Sequence, residues 1–257
     1  MSLVVECTNN YVFSEVRDML IELYFNRSDF NNTVVVLGYN QPNIKYEDVK
    51  IKYPTCKIIV FNLELLFDGC SWVNEHTINW FKKADEVWDY NIDNITFLKK
   101  CGIKAKYQEM KYVNCLKRLP PVNKNAPIDV LFYGTLSTRR TKFLTKWMSN
   151  TAFKYQTIIS NGSTKNDLLF LLKNSKIILN LHTYDVFRQE QVRIFYPVIN
   201  GRCVVSENSD DNHFSDSIII DNYDTLPKTL NMLLSTGKWY DVANSASEKY
   251  KNLSYNS

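Results

Sequence analysis

Short apolar runs alternate with amphipathic stretches from one end of the chain to the other. Leu3–Cys7, Thr33–Leu37 and Lys57–Phe61 are rich in β-branched residues and predict strands. Between the first two, Val12, Phe13, Val16, Met19, Leu20 and Leu23 recur at the i, i+3, i+4, i+7 spacing that gives a helix one apolar stripe over residues 12–25. Asn74–Lys83 predicts a helix, Glu86–Asp89 a short strand, and Ile92–Lys100 a helix stopped by Gly102. Lys106–Val113 is placed as the strand that closes this first block. Leu119–Pro127 then carries three prolines and cannot continue a helix or a central strand, so it is expected to link two domains.

Beyond it the alternation resumes. Strands are predicted at Asp129–Tyr133, Tyr155–Ile159, Lys176–Leu181, Cys203–Ser206 and Ser217–Asp221. Helices are predicted at 139–149, Lys165–Lys173 and 189–199, with a C-terminal helical stretch from about Leu226. Strand–helix alternation of this kind builds parallel sheets. The expectation is therefore an α/β protein of two Rossmann-like lobes, whose parallel sheets face a central cleft. Residues 1–118 would form a short first lobe, 119–127 the linker and 128–257 the second lobe.

In open parallel sheets, ligands bind beyond the carboxyl ends of the strands. The first block offers Thr8–Asn10, Gly38–Tyr39, Asn62–Glu64, Tyr90–Asn91 and Lys111–Tyr112 there. The second offers Gly134–Arg140, Ser160–Gly162, His182–Asp185 and Glu207–Asn208. The segment Val130-Leu-Phe-Tyr-Gly-Thr-Leu-Ser-Thr-Arg-Arg-Thr-Lys142 is the most informative. An apolar strand ends in Gly134 and Thr135, and a helix opens with Arg139, Arg140 and Lys142. Helix-start N–H groups with guanidinium groups beside them suit a diphosphate. Cations at a helix N-terminus oppose the macrodipole, which favours a functional reason for them over a solvated helix start. The segment is neither G-x-G-x-x-G nor a P-loop.

Glu190 and Arg193 open the next helix of interest, and Glu207 ends the strand after it. Such carboxylates accept hydrogen bonds from ribose or sugar hydroxyls, while the bland alternative is dipole complementarity and an i, i+3 ion pair. Glu64 and Asp89 lie at strand ends in the first block, where a desolvated carboxylate can act as a general base. His182 is placed as a hydrogen-bonding partner of a sugar or a diphosphate.

Composition narrows this picture. Hydrophobic residues make up 45% and charged residues 23% of 257, which excludes disordered and collagen-like chains. Six cysteines show neither C-x-x-C spacing nor a zinc-site interval with histidine, so they are expected as buried thiols in a reducing compartment. The start Met-Ser-Leu-Val-Val-Glu has an acidic residue in its apolar stretch and reads as a strand, not a signal peptide. No run approaches the roughly 18 apolar residues of a membrane helix. A cytoplasmic protein is expected. Asp85-Glu86 and Asp210-Asp211 are not an Asp-x-Asp metal motif, so no metal and no cofactor is expected. The net charge of +4 is modest, but residues 99–124 hold seven lysines and Arg118 against Glu109 alone. That excess, interleaved with Tyr107 and Tyr112, admits a nucleic-acid backbone as partner, although a solvated helix face with a linker is the commoner cause.

Glu-x-x-Arg at Glu190–Arg193, an aromatic helix, and Asn200-Gly-Arg-Cys-Val-Val-Ser-Glu207 resemble the donor-binding lobe of GT-B-fold glycosyltransferases. The chain is similar to the CgeB-like and family 1 bacterial and viral members. Asn62-Leu-Glu64, Ala84-Asp-Glu-Val-Trp-Asp-Tyr-Asn91 and the Gly134 turn also resemble segments of that group. The resemblance implies metal-independent transfer of a sugar from a nucleotide-diphosphate sugar to a glycan, lipid or protein acceptor. Gly134, Thr135, Arg139, Arg140, Lys142, Glu190, Arg193 and Glu207 would hold the donor, and Glu64, Asp89 or His182 would serve catalysis. Phage-type transfer to modified DNA bases and a non-catalytic binding module are the alternatives. Many retaining members carry a ribose-binding Glu five residues before the Gly, where this chain has Tyr196. Either Glu190 or Glu207 replaces it, or donor binding is altered.

Overall fold

A computed structural model of the chain describes residues 3–7, 11–149, 153–158 and 165–256. Its contacts divide the chain into two units, Met1–Cys115 and Leu116–Ser257. The first unit is a parallel sheet in the order β1 (Val4–Glu6), β2 (Thr33–Val36), β3 (Lys57–Asn62), β4 (Glu86–Asp89) and β5 (Ala105–Tyr107). Its helices are α1 (Tyr11–Tyr24), α2 (Tyr46–Lys52), α3 (Glu75–Lys83) and α4 (Ile92–Lys100). Alternation along the strands sorts the two faces. Val34, Val36, Ile58, Val60 and Val87 pack with Val49 of α2, Trp80 and Phe81 of α3 and Leu98 of α4. On the opposite face, Trp88 meets Phe61 and also Tyr24 of α1, with ring centroids 6.2 Å and 5.7 Å apart.

Local chemistry fixes the helix starts. The Asn74 side chain accepts from the Thr77 N–H at 3.0 Å, and Asn91 accepts from the Asn94 N–H at 3.0 Å. Lysines 82, 83, 99 and 100 occupy last turns, where cations complement the macrodipole. The closing strand is shorter than the pattern suggested. After Tyr107 the chain leaves the sheet and crosses α1, whose Glu22 carboxylate accepts the N–H groups of Asn114 and Cys115 at 2.8 Å and 2.7 Å.

The second unit is a parallel sheet in the order β10 (Ile219–Asp221), β9 (Cys203–Glu207), β8 (Ser175–Asn180), β6 (Ile128–Tyr133), β7 (Tyr155–Ile158). Its helices are α5 (Thr138–Met148), α6 (Lys165–Lys173), α7 (Gln191–Ile199), α8 (Leu226–Thr236) and α9 (Trp239–Asn256). Gly237, at φ +74°, separates α8 from α9 within the C-terminal stretch. The proline-rich stretch is bound within this unit. Asn200, at the end of α7, accepts the N–H groups of Arg118 and Leu119 at 2.7 Å each and donates to the Leu116 carbonyl at 2.9 Å. Arg202 donates to the Pro120 carbonyl at 2.8 Å, and Val122 joins the unit's core. No described helix is long and apolar enough to cross a membrane.

Candidate functional site

The topology of the second unit brings β6, β8 and β9 side by side, so their carboxyl ends and the starts of α5 and α7 converge. The turn after β6 depends on Gly134, whose φ of +131° lies where side chains are strained. A Cβ there would also stand 3.2 Å from the Arg193 guanidinium carbon. Glycine is thus the residue that lets the backbone rest against that guanidinium. Ser137 caps α5 by accepting the Arg140 N–H at 3.3 Å. Pro197 lies inside α7 and has no N–H, which leaves the Arg193 carbonyl, four residues back, without its helical donor. The Tyr133 hydroxyl donates to that carbonyl instead.

Glu190 anchors the cluster. Its carboxylate accepts from Arg140 at 2.8 Å and 2.9 Å and from the Thr183 hydroxyl at 3.1 Å, and forms an ion pair with Arg193 at 2.7 Å. Burial pushes the Glu190 carboxyl up, but Arg193 and Arg140 outweigh it and hold the carboxyl below its usual value. Arg140 is completely buried and also donates to the carbonyls of Leu181 and Thr135. Burial brings its guanidinium down to about 10, against the pull of Glu190. It is still charged at neutral pH. The sequence grouped Arg140 with a diphosphate clamp, whereas its place is beneath the turn, with its donors facing protein acceptors.

Arg139 lies at the surface of the cluster. It grips both oxygens of Glu207, reaches Asp185 at 3.1 Å, and lies 4.2 Å above the Tyr223 ring. Glu207 also accepts the His182 N–H at 3.1 Å. The His182 ring is 1% exposed; its Nε2 meets the Asn208 carbonyl at 3.0 Å and the Ser209 hydroxyl at 3.2 Å. This histidine pins the loop after β9. Thr135 and Lys142 are both exposed, and Lys142 makes no ion pair among the described residues. Tyr196, at the position of the resembling group's Glu, is buried within α7.

In the first unit, pairing of Asn62 with Asp89 across β3 and β4 builds a polar network. Asp89 is completely buried and accepts from the Asn62 side chain at 2.7 Å, the Asn91 N–H at 2.8 Å and the Asn94 side chain at 3.1 Å. It sits at the start of α4, where the helix dipole favours a carboxylate. Glu64 is half-buried; its carbonyl accepts from Asn62 at 2.7 Å and Asn94 at 2.8 Å, and its carboxylate meets Asn40 at 3.4 Å. The sequence grouped Asp89 with Glu64, and the structure separates a sealed brace from an accessible side chain. Tyr39, one of the strand-end candidates, donates its hydroxyl to Asn62 at 2.7 Å, whereas Asn94 was missed because it lies within the predicted helix Ile92–Lys100.

Thr8–Asn10 and Ser160–Gly162 lie outside the described residues. Among the described residues no cysteine is in a disulfide, and Cys101 and Cys115 are exposed where buried thiols were expected. Among the described residues, no three His, Cys, Asp or Glu side chains gather at a metal-binding spacing. Within the basic 99–124 segment, Lys106 pairs with Glu86 at 2.7 Å, Lys111 with Glu109 at 3.4 Å and Lys117 with Glu248 at 3.9 Å.

No protein-family model and no curated protein matches the chain. Solved structures do match it. The structure of Anabaena HepE in complex with UDP-glucose has a TM-score of 0.63 at 11% identity, over 95% of this chain and 78% of that one. An α1,3-fucosyltransferase with GDP matches more loosely, with a TM-score of 0.48 at 11% identity over 99% and 87%. The likeness is one of fold: two Rossmann-like α/β units of the kind found in GT-B glycosyltransferases.

Proposed function

We propose that the protein is a glycosyltransferase whose second unit binds a nucleotide-diphosphate sugar and supports transfer to an acceptor hydroxyl without a divalent metal. One observation carries this reading. Two guanidinium groups, Arg139 and Arg193, stand at the Gly134 turn and the start of α5, at the carboxyl edge of a Rossmann-like sheet. A leaving diphosphate gains negative charge as the sugar departs, and fixed cations with helix-start N–H groups stabilise that charge. Thr135 lies in the same exposed turn, and Lys142, one turn further along α5, adds an uncommitted cation. Arg140 and Glu190 hold the cluster from below. Glu207, released from Arg139, is a hydroxyl acceptor for ribose or sugar. On the first unit, we assign Glu64 to take the acceptor proton and Asp89 to brace it. His182 positions the loop after β9. The free cysteines fit a reducing, cytoplasmic setting.

Calorimetric titration with UDP, GDP, ADP, TDP and CMP tests the reading. One nucleotide should bind, and Arg139→Gln should weaken it about 10- to 100-fold, the loss of one charge-assisted contact worth about 1.5–3 kcal/mol. Sugar transfer or donor hydrolysis should persist in excess EDTA. Failure of every nucleotide to bind at millimolar concentration would overturn the donor assignment. Activity abolished by EDTA and restored by Mg²⁺ would overturn the cation mechanism.

A further inference from the structure

A cavity of about 440 Å³ opens beside this cluster, at the carboxyl ends of β9 and β10 and entirely within the second unit. We propose that it is a saccharide pocket that admits neutral and amine-bearing sugar rings and rejects anionic ones. The inference rests on the donor reading only for how a sugar comes to be there.

Three kinds of lining group make the case. Phe187, 48% exposed, and Tyr223 supply aromatic walls. One face of Tyr223 is covered by Arg139 and its ring meets Phe143 edge-on at 5.2 Å, so that wall is fixed in place. Flat aromatic walls suit the C–H faces of a pyranose ring. Asn208 and Asn222 bring carboxamides, and Asp210 and Asp224 bring exposed carboxylates with no ion pair among the described residues. Planar amides and carboxylates offer paired hydrogen-bonding atoms that match vicinal hydroxyls. The volume falls in the range of small-molecule sites and accommodates a monosaccharide.

Charge decides which sugar. Glu207, Asp210 and Asp224 line the cavity against one cation, Arg139, so even with Arg139 counted as a full charge the carboxylates are in excess. The field inside is therefore negative. Burial is the main cause that pushes the Tyr223 phenol above its usual value; Arg139 pulls it down, and Glu207, Asp224 and Asp185 push it up. A phosphate or a uronate would meet like charge here, whereas the Gly134 turn is lined by Arg193. The two neighbouring regions thus have opposite polarity, suited to the anionic and uncharged ends of one substrate.

Saturation-transfer NMR on the full chain would use methyl glucoside, methyl glucosaminide and methyl glucuronide as probes. The first two should give signals and the glucuronide none. Phe187→Ala, which removes a half-exposed side chain and should melt as the parent does, should abolish both signals. The Asp210→Asn, Asp224→Asn double variant should admit the glucuronide. Equal glucuronide and glucoside signals in the parent protein would overturn the charge argument. Absence of any glycoside signal, or signals unchanged in Phe187→Ala, would overturn the pocket.

Two further arms separate the sources of the sugar. If a nucleotide sugar displaces the glycoside and the bare nucleotide does not, the pocket holds the donor's sugar. If the glycoside stays bound beside the nucleotide sugar, the pocket holds an acceptor. Nucleotide binding without glycoside binding sinks the pocket and spares the donor reading; glycoside binding without nucleotide binding does the reverse.

Discussion

Burial alone would raise the Glu190 carboxyl, yet with Arg193 and Arg140 against it the group stays below its ordinary 4.5. A carboxyl lowered in the folded state contributes stability that is fully present above its unfolded value and lost as pH falls through the folded one. The parent protein should therefore lose stability progressively as pH drops below about 4.5, where protonation releases both guanidinium groups. Glu190→Gln should lose less stability than the parent through that window and be less stable at neutral pH by about 3–5 kcal/mol, since the buried Arg140 and the partly buried Arg193 lose their counter-charge. Urea unfolding of both proteins between neutral pH and about pH 3 checks this; parallel pH curves would remove Glu190 as the titrating group. At this scale the sequence was partly legible. Glu190 and Arg193 are an i, i+3 pair visible in any helical reading, and Gly134 stood at a predicted strand end. What could not be read was that Arg140, 50 residues from Glu190, would turn inward to it while its neighbour Arg139 turned to Glu207. Side-chain direction at a helix start depends on which carboxylates the fold brings near.

Elements built on a buried stripe were readable, and those without one were not. The helix at Ile92–Lys100 and the strand at Glu86–Asp89 begin and end where their caps and apolar positions place them. In α2 only Val49 is buried and Ile51 is 78% exposed, so no periodicity announced it. The proline-rich stretch was legible as a break in regular structure, but its attachment was hidden in one side chain. Asn200 satisfies two consecutive N–H groups and a carbonyl there while also donating to Tyr196 at 2.8 Å. Asn200→Ala should strand those groups, each worth about 1–3 kcal/mol when left unmade, and lower stability by at least about 2 kcal/mol. Equilibrium unfolding measures it, and proteolysis within 116–127 should quicken in the variant. A loss below about 0.5 kcal/mol would mean water replaces the carboxamide at no cost.

For the whole molecule, the alternation of strands and helices was enough to indicate two parallel α/β units, because each strand feeds a helix that covers its sheet. Each unit has its own core, one around Trp80 and Val60 and the other around Trp147 and Val205. Ligand linkage then becomes a local measurement. A bound nucleoside diphosphate should slow amide exchange at 134–140 and 190–193, at the turn and the α7 start, and leave β2 and β3 at their ligand-free rates. Protection confined to the first unit would reverse the assignment of the donor to the second.

The proline within α7 ties the Gly134 turn to the neighbouring helix. A helix of ordinary composition keeps its carbonyls to itself; here Pro197 gives one up, and Tyr133 fastens it to the strand one residue before Gly134. Strand and helix are stitched at the spot where backbone and guanidinium touch, so a push on Arg193 is carried into β6 as well. An anion bound there, as proposed, would find side chains to rotate and no main chain to order, the entropy of building its cradle having been spent in folding.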